Sequence, residues 1–302
     1  MTAVPSFSAQ GAPPARPGRR FSFAWLGVLP FVVFALAFLI LPTFYLATNS
    51  FLNLVGTATN NPNHGQLTLD NYAHLTTPNI LDAYTTSVEI SLVTAIAGGI
   101  FGFLLAYAVI AGGLPPFLRS ALMTFSGVAS NFAGVPLALA FTFTLGAAGI
   151  LTPFIKGAGL SFNIYSKTAL ELAYMYFQFP LMVLIIAPAI DGLRKDWREA
   201  AENMGATTYQ YWRHVALPIL TPSLLGAVIL LFGNAFGAQA TAFQLSGGTI
   251  NIVTIQITRQ LRGDVANDPG VGYAMAMGMV VMMAISIAGY SILQRRSERW
   301  LR

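Results

Sequence analysis

Residues able to do acid–base, nucleophilic or metal chemistry are few in this 302-residue chain: three histidines, eleven carboxylates and no cysteine. Without cysteine there are no disulfides, no thiolate metal sites and no cysteine nucleophile. His64, His74 and His214 stand far apart in the sequence, and no carboxylate pair stands out as an acid–base couple. No G-x-x-x-x-G-K-[ST] occurs, and none of Lys156, Lys167 and Lys195 follows a glycine, so a phosphate-cradling nucleotide loop is missing. One dense polar stretch remains, DWREAAENMGATTYQYWRHVALP from Asp196 to Pro218. Its chemistry is recognition: Glu199 and Glu202 offer charge beside the small Ala200 and Ala201, where a larger protein surface can approach closely.

Local rules predict how that stretch folds. Asp196 followed by Glu199 has capping-box spacing, so a helix can start there. Gly205 suits the left-handed position that ends it. Thr207 with Gln210 repeats the capping-box spacing, predicting a second short helix that stops before Pro218. Trp197, Ala200, Ala201 and Met204 form an apolar stripe on the first helix. Taken alone, the hairpin fits equally a docking element and an amphipathic pair resting on headgroups through Trp197, Tyr209, Tyr211 and Trp212.

The elements around it are apolar. With 55% hydrophobic and 9% charged residues the chain is a membrane protein. The net charge of +5 comes from basic residues scattered around apolar runs, which excludes a nucleic-acid face. Apolar stretches of about 20 residues, enough to cross a hydrocarbon core, predict an all-α integral membrane protein with six spans near 26–48, 87–111, 121–145, 169–190, 221–243 and 271–293. Glu89 and Glu171 fall near predicted span ends.

Arg16, Arg19 and Arg20, then Arg119, then Arg194, Lys195, Arg198 and Arg213, then Arg295, Arg296, Arg299 and Arg302 all fall on one side of this arrangement. Lys156, Lys167, Arg259 and Arg262 fall on the other. The asymmetry predicts both termini and the polar stretch on the cytoplasmic side. It also puts His64 and His74 across the bilayer from His214, so the three cannot share a site. Residues 1–24 are expected to be a disordered cytoplasmic tail, and the first apolar run is too long for a cleavable signal core.

Within the bilayer, helices associate by close backbone approach at small residues. Gly98, Gly102 and Ala106 recur every four residues in the second span, and Ser126, Ser130, Gly134, Ala138, Thr142 and Gly146 do so in the third. Asn131, Gln178, Asn234 and Gln239 lie well inside predicted spans, where each either bonds a neighbouring helix or lines a substrate path. No ionisable residue sits at mid-span, as a secondary transporter would need for ion coupling.

Glu199-Ala200-Ala201, three residues, Gly205, nine residues, then Val215-Ala216-Leu217-Pro218 resembles the EAA loop of permease subunits of ATP-binding-cassette importers, E-A-A-x3-G-x9-I-x-L-P, with Val215 for isoleucine the one departure. The resemblance runs from the first span to the C-terminus and implies the type I importer permease fold: six transmembrane helices with a coupling loop, about 191–218, between the fourth and fifth. It implies that Glu199, Ala200, Ala201, Gly205, Leu217 and Pro218 couple to an ATPase, with Glu199 paired to a basic residue there. It further implies partners: ATPase subunits that bind ATP and Mg, a second, homologous permease, and an extracytoplasmic binding protein. The chain itself is then a non-catalytic transport subunit of the bacterial inner membrane, without cofactor or metal.

Residues 236–279 look most like the corresponding region of spermidine/putrescine-type permeases, which implies a polyamine substrate. Permeases of similar appearance carry phosphonates, ferric iron, sulfate or thiamine. Val253, Ile257 and Leu261, four residues apart, predict an amphipathic helix on the outer surface with Arg259 and Arg262 near its polar edge.

Overall fold

The computed structural model describes residues 25–57, 59–112, 114–262 and 268–298, and side chains only for part of the terminal helices. The expected tail, residues 1–24, lies outside them, as do the side chains of the N- and C-terminal arginines. The chain divides into two compact units, Met1–Tyr45 and Leu46–Arg302. In the first, α1 (Trp25–Ala35) passes through a π-helical turn (Leu36–Ile40) into α2 (Leu41–Asn49), which runs on into the second; Gly27–Asn49 is long and apolar enough to cross a bilayer.

The second unit is helical throughout its regular elements: α3 (Pro78–Ile110), α4 (Pro116–Ala129), α5 (Val135–Leu145), α6 (Lys167–Asp191), α7 (Lys195–Asn203), α8 (Leu217–Phe236), α9 (Ala240–Ser246), α10 (Val253–Arg262) and α11 (Pro269–Glu298). Among the described residues, five helices are long and apolar enough to cross a bilayer, and α5 is a shorter apolar one. This is a multi-pass membrane protein. The most buried of the five is α6, with α3, α4 and α8 against it. Its 25 residues reach about 37 Å at about 1.5 Å per residue.

Small residues make the α3–α6 contact, as their spacing predicts. A Cβ on Gly98 would lie 2.9 Å from Gln178 Cβ, and one on Gly102 only 2.6 Å from Met182 Cβ and 2.8 Å from the Phe179 carbonyl oxygen. Gln178, fully buried, ties the same interface by donating from Nε2 to Thr94 Oγ1 at 2.9 Å.

The third span is not one helix, contrary to the sequence expectation. α4 ends at Ala129 and α5 starts at Val135, so the Ser126-to-Gly146 seam is interrupted. The cause is local: Pro136 restricts the chain before it, and Gly134 takes φ +72°, which ends any helical continuation. The two pieces still run the length of α6. Arg119 of α4 pairs with Asp191 at one end, while Leu137 and Ala138 of α5 pack with Ile164 and Leu170 near the other.

Three further boundaries differ from expectation: α3 begins at Pro78 instead of 87, and two more concern α8. The helix begun at Thr208 does not stop before Pro218 but continues through a π-helical turn, Trp212–Ala216, into α8. Pro218 cannot donate to the His214 carbonyl, and the wider turn just before it accommodates that loss. The fifth span in turn ends at Phe236 instead of 243, leaving Gln239 outside any helix.

Candidate functional site

Two features stand out, a helical hairpin at one end of the bundle and a cleft at the two helix breaks. In the hairpin, Asp196 does not cap α7. Its carboxylate instead meets Arg194 Nη2 at 2.6 Å, and the N-cap position belongs to Arg194. The far end of α7 closes as the glycine predicts. Gly205, at φ +79°, donates to the Glu202 carbonyl at 2.9 Å, and Ala206 donates to the Ala201 carbonyl at 2.9 Å. The next helix starts with the expected capping box: Gln210 N–H donates to Thr207 Oγ1, and Thr207 N–H donates to Gln210 Oε1 at 2.7 Å. The turn is thus fixed by hydrogen bonds on both sides.

Ala201 faces inward, packed with Tyr211 and Ala216 and flanked by Leu193, Ala206 and Trp212. Trp212 stands edge-on to Tyr107 at 4.6 Å, which anchors the hairpin to the end of α3. The outer face shows Trp197, Glu199, Ala200 and Met204, the last 81% exposed. Glu202 is engaged by Arg198 at 2.9 Å, an i,i+4 pair that also raises the guanidinium pKa. Glu199 forms no ion pair among the described residues. Of the coupling residues expected from the sequence, Glu199, Ala200 and Gly205 are exposed, Leu217 and Pro218 open α8, and Ala201 supports the hairpin from within. A cavity of about 610 Å³ lies between α7 and the ends of α3 and α6, bordered by Arg119, Asp191, Arg194, Arg198, Glu199 and Trp212.

The second feature is a cleft of about 560 Å³ where the break between α4 and α5 meets the break between α8 and α9. Its lining includes Ser130, Gly134, Asn234, Gln239 and Thr241, and carries no charged side chain among the described residues. Irregular backbone inside an apolar span must be bonded by protein or line a cavity, and here it does both. Gly134 N–H donates to Thr241 Oγ1 at 2.8 Å, and Tyr174 Oη donates to the Ala238 carbonyl.

Of the four amides singled out in the sequence, the structure brings Asn234 and Gln239 into this cleft. Asn131 lies in the adjacent break and donates to the Gly127 carbonyl at 2.8 Å. Gln178 serves the α3–α6 contact instead. Ser130 and Gly134 were visible only as members of a small-residue repeat, while Thr241 and Tyr174 carry no signal that distinguishes them in sequence. Glu89, expected near a span end, forms an ion pair with Lys167.

The sequence profile of the binding-protein-dependent transport system inner membrane component family matches residues 98–302. The chain belongs to that family. Relatives include a probable sulfate transport system permease protein of Prototheca wickerhamii, 28% identical over 56% of this chain and 65% of that protein, and the sulfate transport system permease protein of Salmonella typhimurium, 27% identical over 57% and 61%. The molybdenum transport system permease protein of Mycobacterium bovis is 24% identical over 72% of this chain and 81% of its own length. Against the sulfate relatives, this family member therefore spans less than two thirds of their length. Among solved structures, a chain of a bacterial ABC transporter that imports the acidic polysaccharide alginate superposes with a TM-score of 0.69 at 17% identity, covering 91% of this chain and 95% of that one. The likeness establishes the fold, that of an importer permease.

Proposed function

We propose that this chain is the membrane-spanning permease subunit of an ATP-binding-cassette importer for a tetrahedral oxyanion of the sulfate and molybdate class. The observation that carries the transport reading is the hairpin Lys195–Tyr211, locked at its turn and anchored through Trp212, with Glu199 free on its outer face. Such a rigid projection transmits motion from a partner to α6 and α8, between which it is inserted. In this reading the partner is an ATPase subunit, which binds ATP and Mg, and the hairpin end is cytoplasmic, as are both termini. A homologous second permease completes the pathway, and an extracytoplasmic binding protein delivers the solute.

The oxyanion class takes precedence over the polyamine expected from residues 236–279. The relatives named above are sulfate and molybdenum permeases, and a cleft lined by hydroxyls, amides and glycine backbone offers neutral donors that suit an anion. A polycation would be served by carboxylates, and among the described residues the cleft has none. The test is uptake by the assembled complex in proteoliposomes of radiolabelled sulfate, molybdate, spermidine, a phosphonate, ferric citrate and thiamine. Energy-dependent uptake of sulfate or molybdate is expected; uptake of spermidine with neither anion transported would refute the substrate class.

A further inference from the structure

We propose that Thr258 of α10 is a positioning residue for the cleft, holding Gln239 and thereby linking the end of the bundle opposite the hairpin to the substrate path; this rests on the transport reading above. The non-helical residues between α8 and α9 form one wall of the cleft, and three side-chain bonds from three different elements hold this wall. Tyr174 of α6 donates to the Ala238 carbonyl, and Thr241 accepts from Gly134 in the α4–α5 break. The third is Gln239 Nε2, which donates to Thr258 Oγ1 at 2.5 Å.

That third bond leads to the far end of the molecule. The first residue of α10, Val253, donates its N–H to Ser87 Oγ of α3 at 2.9 Å, and just before it Asn251 Nδ2 donates to Asp82 Oδ2 at 2.8 Å. Arg259 Nη2 donates to the Gly248 carbonyl at 2.6 Å, so α10 is tied at both ends. Thr258 spends its own proton on the Thr254 carbonyl at 3.0 Å. In this arrangement its oxygen accepts from the Gln239 amide nitrogen. A displacement of α10, as when a delivery protein seats on that end, moves the Gln239 side of the cleft, and this side-chain bond carries part of that movement.

The test uses the absence of cysteine in the natural chain. Asn234→Cys places a thiol in the cleft, and its modification rate by a hydrophilic maleimide is read in the assembled complex, in liposomes, alone and with Thr258→Val or Thr258→Ser. Loss of one hydrogen bond predicts a change in rate of about three- to tenfold for Thr258→Val, larger than any change for Thr258→Ser, which keeps the acceptor. Equal rates in all three proteins overturn the proposal, and so does an equal change in the valine and serine variants, which would mark a packing role. Uptake by the same liposomes is scored separately. A valine-specific change in labelling with no oxyanion transported by the parent would leave Thr258 its role and remove the substrate class.

Discussion

The amide of Gly134 donates to the hydroxyl of Thr241, 107 positions away in sequence, at 2.8 Å. The bond joins the break between α4 and α5 to the first turn of α9, and the Thr241 hydroxyl in turn points toward the Gly134 carbonyl at 3.3 Å. A helix that breaks inside a bilayer frees donors and acceptors that lipid cannot satisfy. Here a side chain of α9 meets the amide and the carbonyl that the break at Gly134 leaves.

Thr241 is 1% exposed, so Thr241→Val leaves a Gly134 N–H without its acceptor. The expected cost is about 1–3 kcal/mol, and Thr241→Ser should recover most of it. Thermal unfolding of the purified protein in detergent checks this: the valine variant melts lower, the serine variant near the parent. A valine variant as stable as the parent would mean that water replaces the threonine.

Close approach at the α3–α6 contact makes a second prediction. A Cβ at Gly102 would meet Met182 Cβ and the Phe179 carbonyl, both on the most buried helix, so Gly102→Ala is expected to destabilise by about 1–3 kcal/mol through overpacking. Gly127 of α4 has nothing within 4 Å of its added Cβ, and Gly127→Ala should be neutral or slightly stabilising by helix propensity. Comparing the two melting temperatures separates crowding from the general effect of removing a glycine.

What the sequence reveals follows the range of the interaction that decides each feature. The Gly98–Gly102–Ala106 seam and the Gly205 turn depend on neighbours along one helix, and both are legible. So is the Thr207–Gln210 cap, whereas Asp196 is drawn away from the same role by the charge of Arg194. The third span reads as continuous because hydropathy is blind to backbone angle. Gly134 and Pro136 do announce the break, but a repeat of small residues runs through it with the same spacing as a packing seam. The cleft itself depends on Gly134 meeting Thr241 and Gln239 meeting Thr258, pairings across distant parts of the chain that no local pattern encodes.

The coupling role proposed for the hairpin yields the last prediction. Glu199 is exposed and without an ion pair among the described residues, while its neighbours Arg198 and Glu202 satisfy each other. Reversal to Glu199→Arg should therefore leave folding and insertion of the permease intact, since it breaks no bond inside the chain. Against an ATPase groove that offers a cation, the same change buries an unmatched charge, a cost of about 2–5 kcal/mol, enough to shift assembly by factors of tens to thousands. Gly205→Val acts by another route: φ +79° is strained for a β-branched residue, so the turn that aims α7 is distorted while Glu199 keeps its charge. Both variants should lose uptake in proteoliposomes, the first with loss of ATPase co-purification and the second with the ATPase retained but no longer stimulated by loaded binding protein. Normal uptake by Glu199→Arg in a fully assembled complex would assign docking to Trp197, Ala200 and Met204 instead.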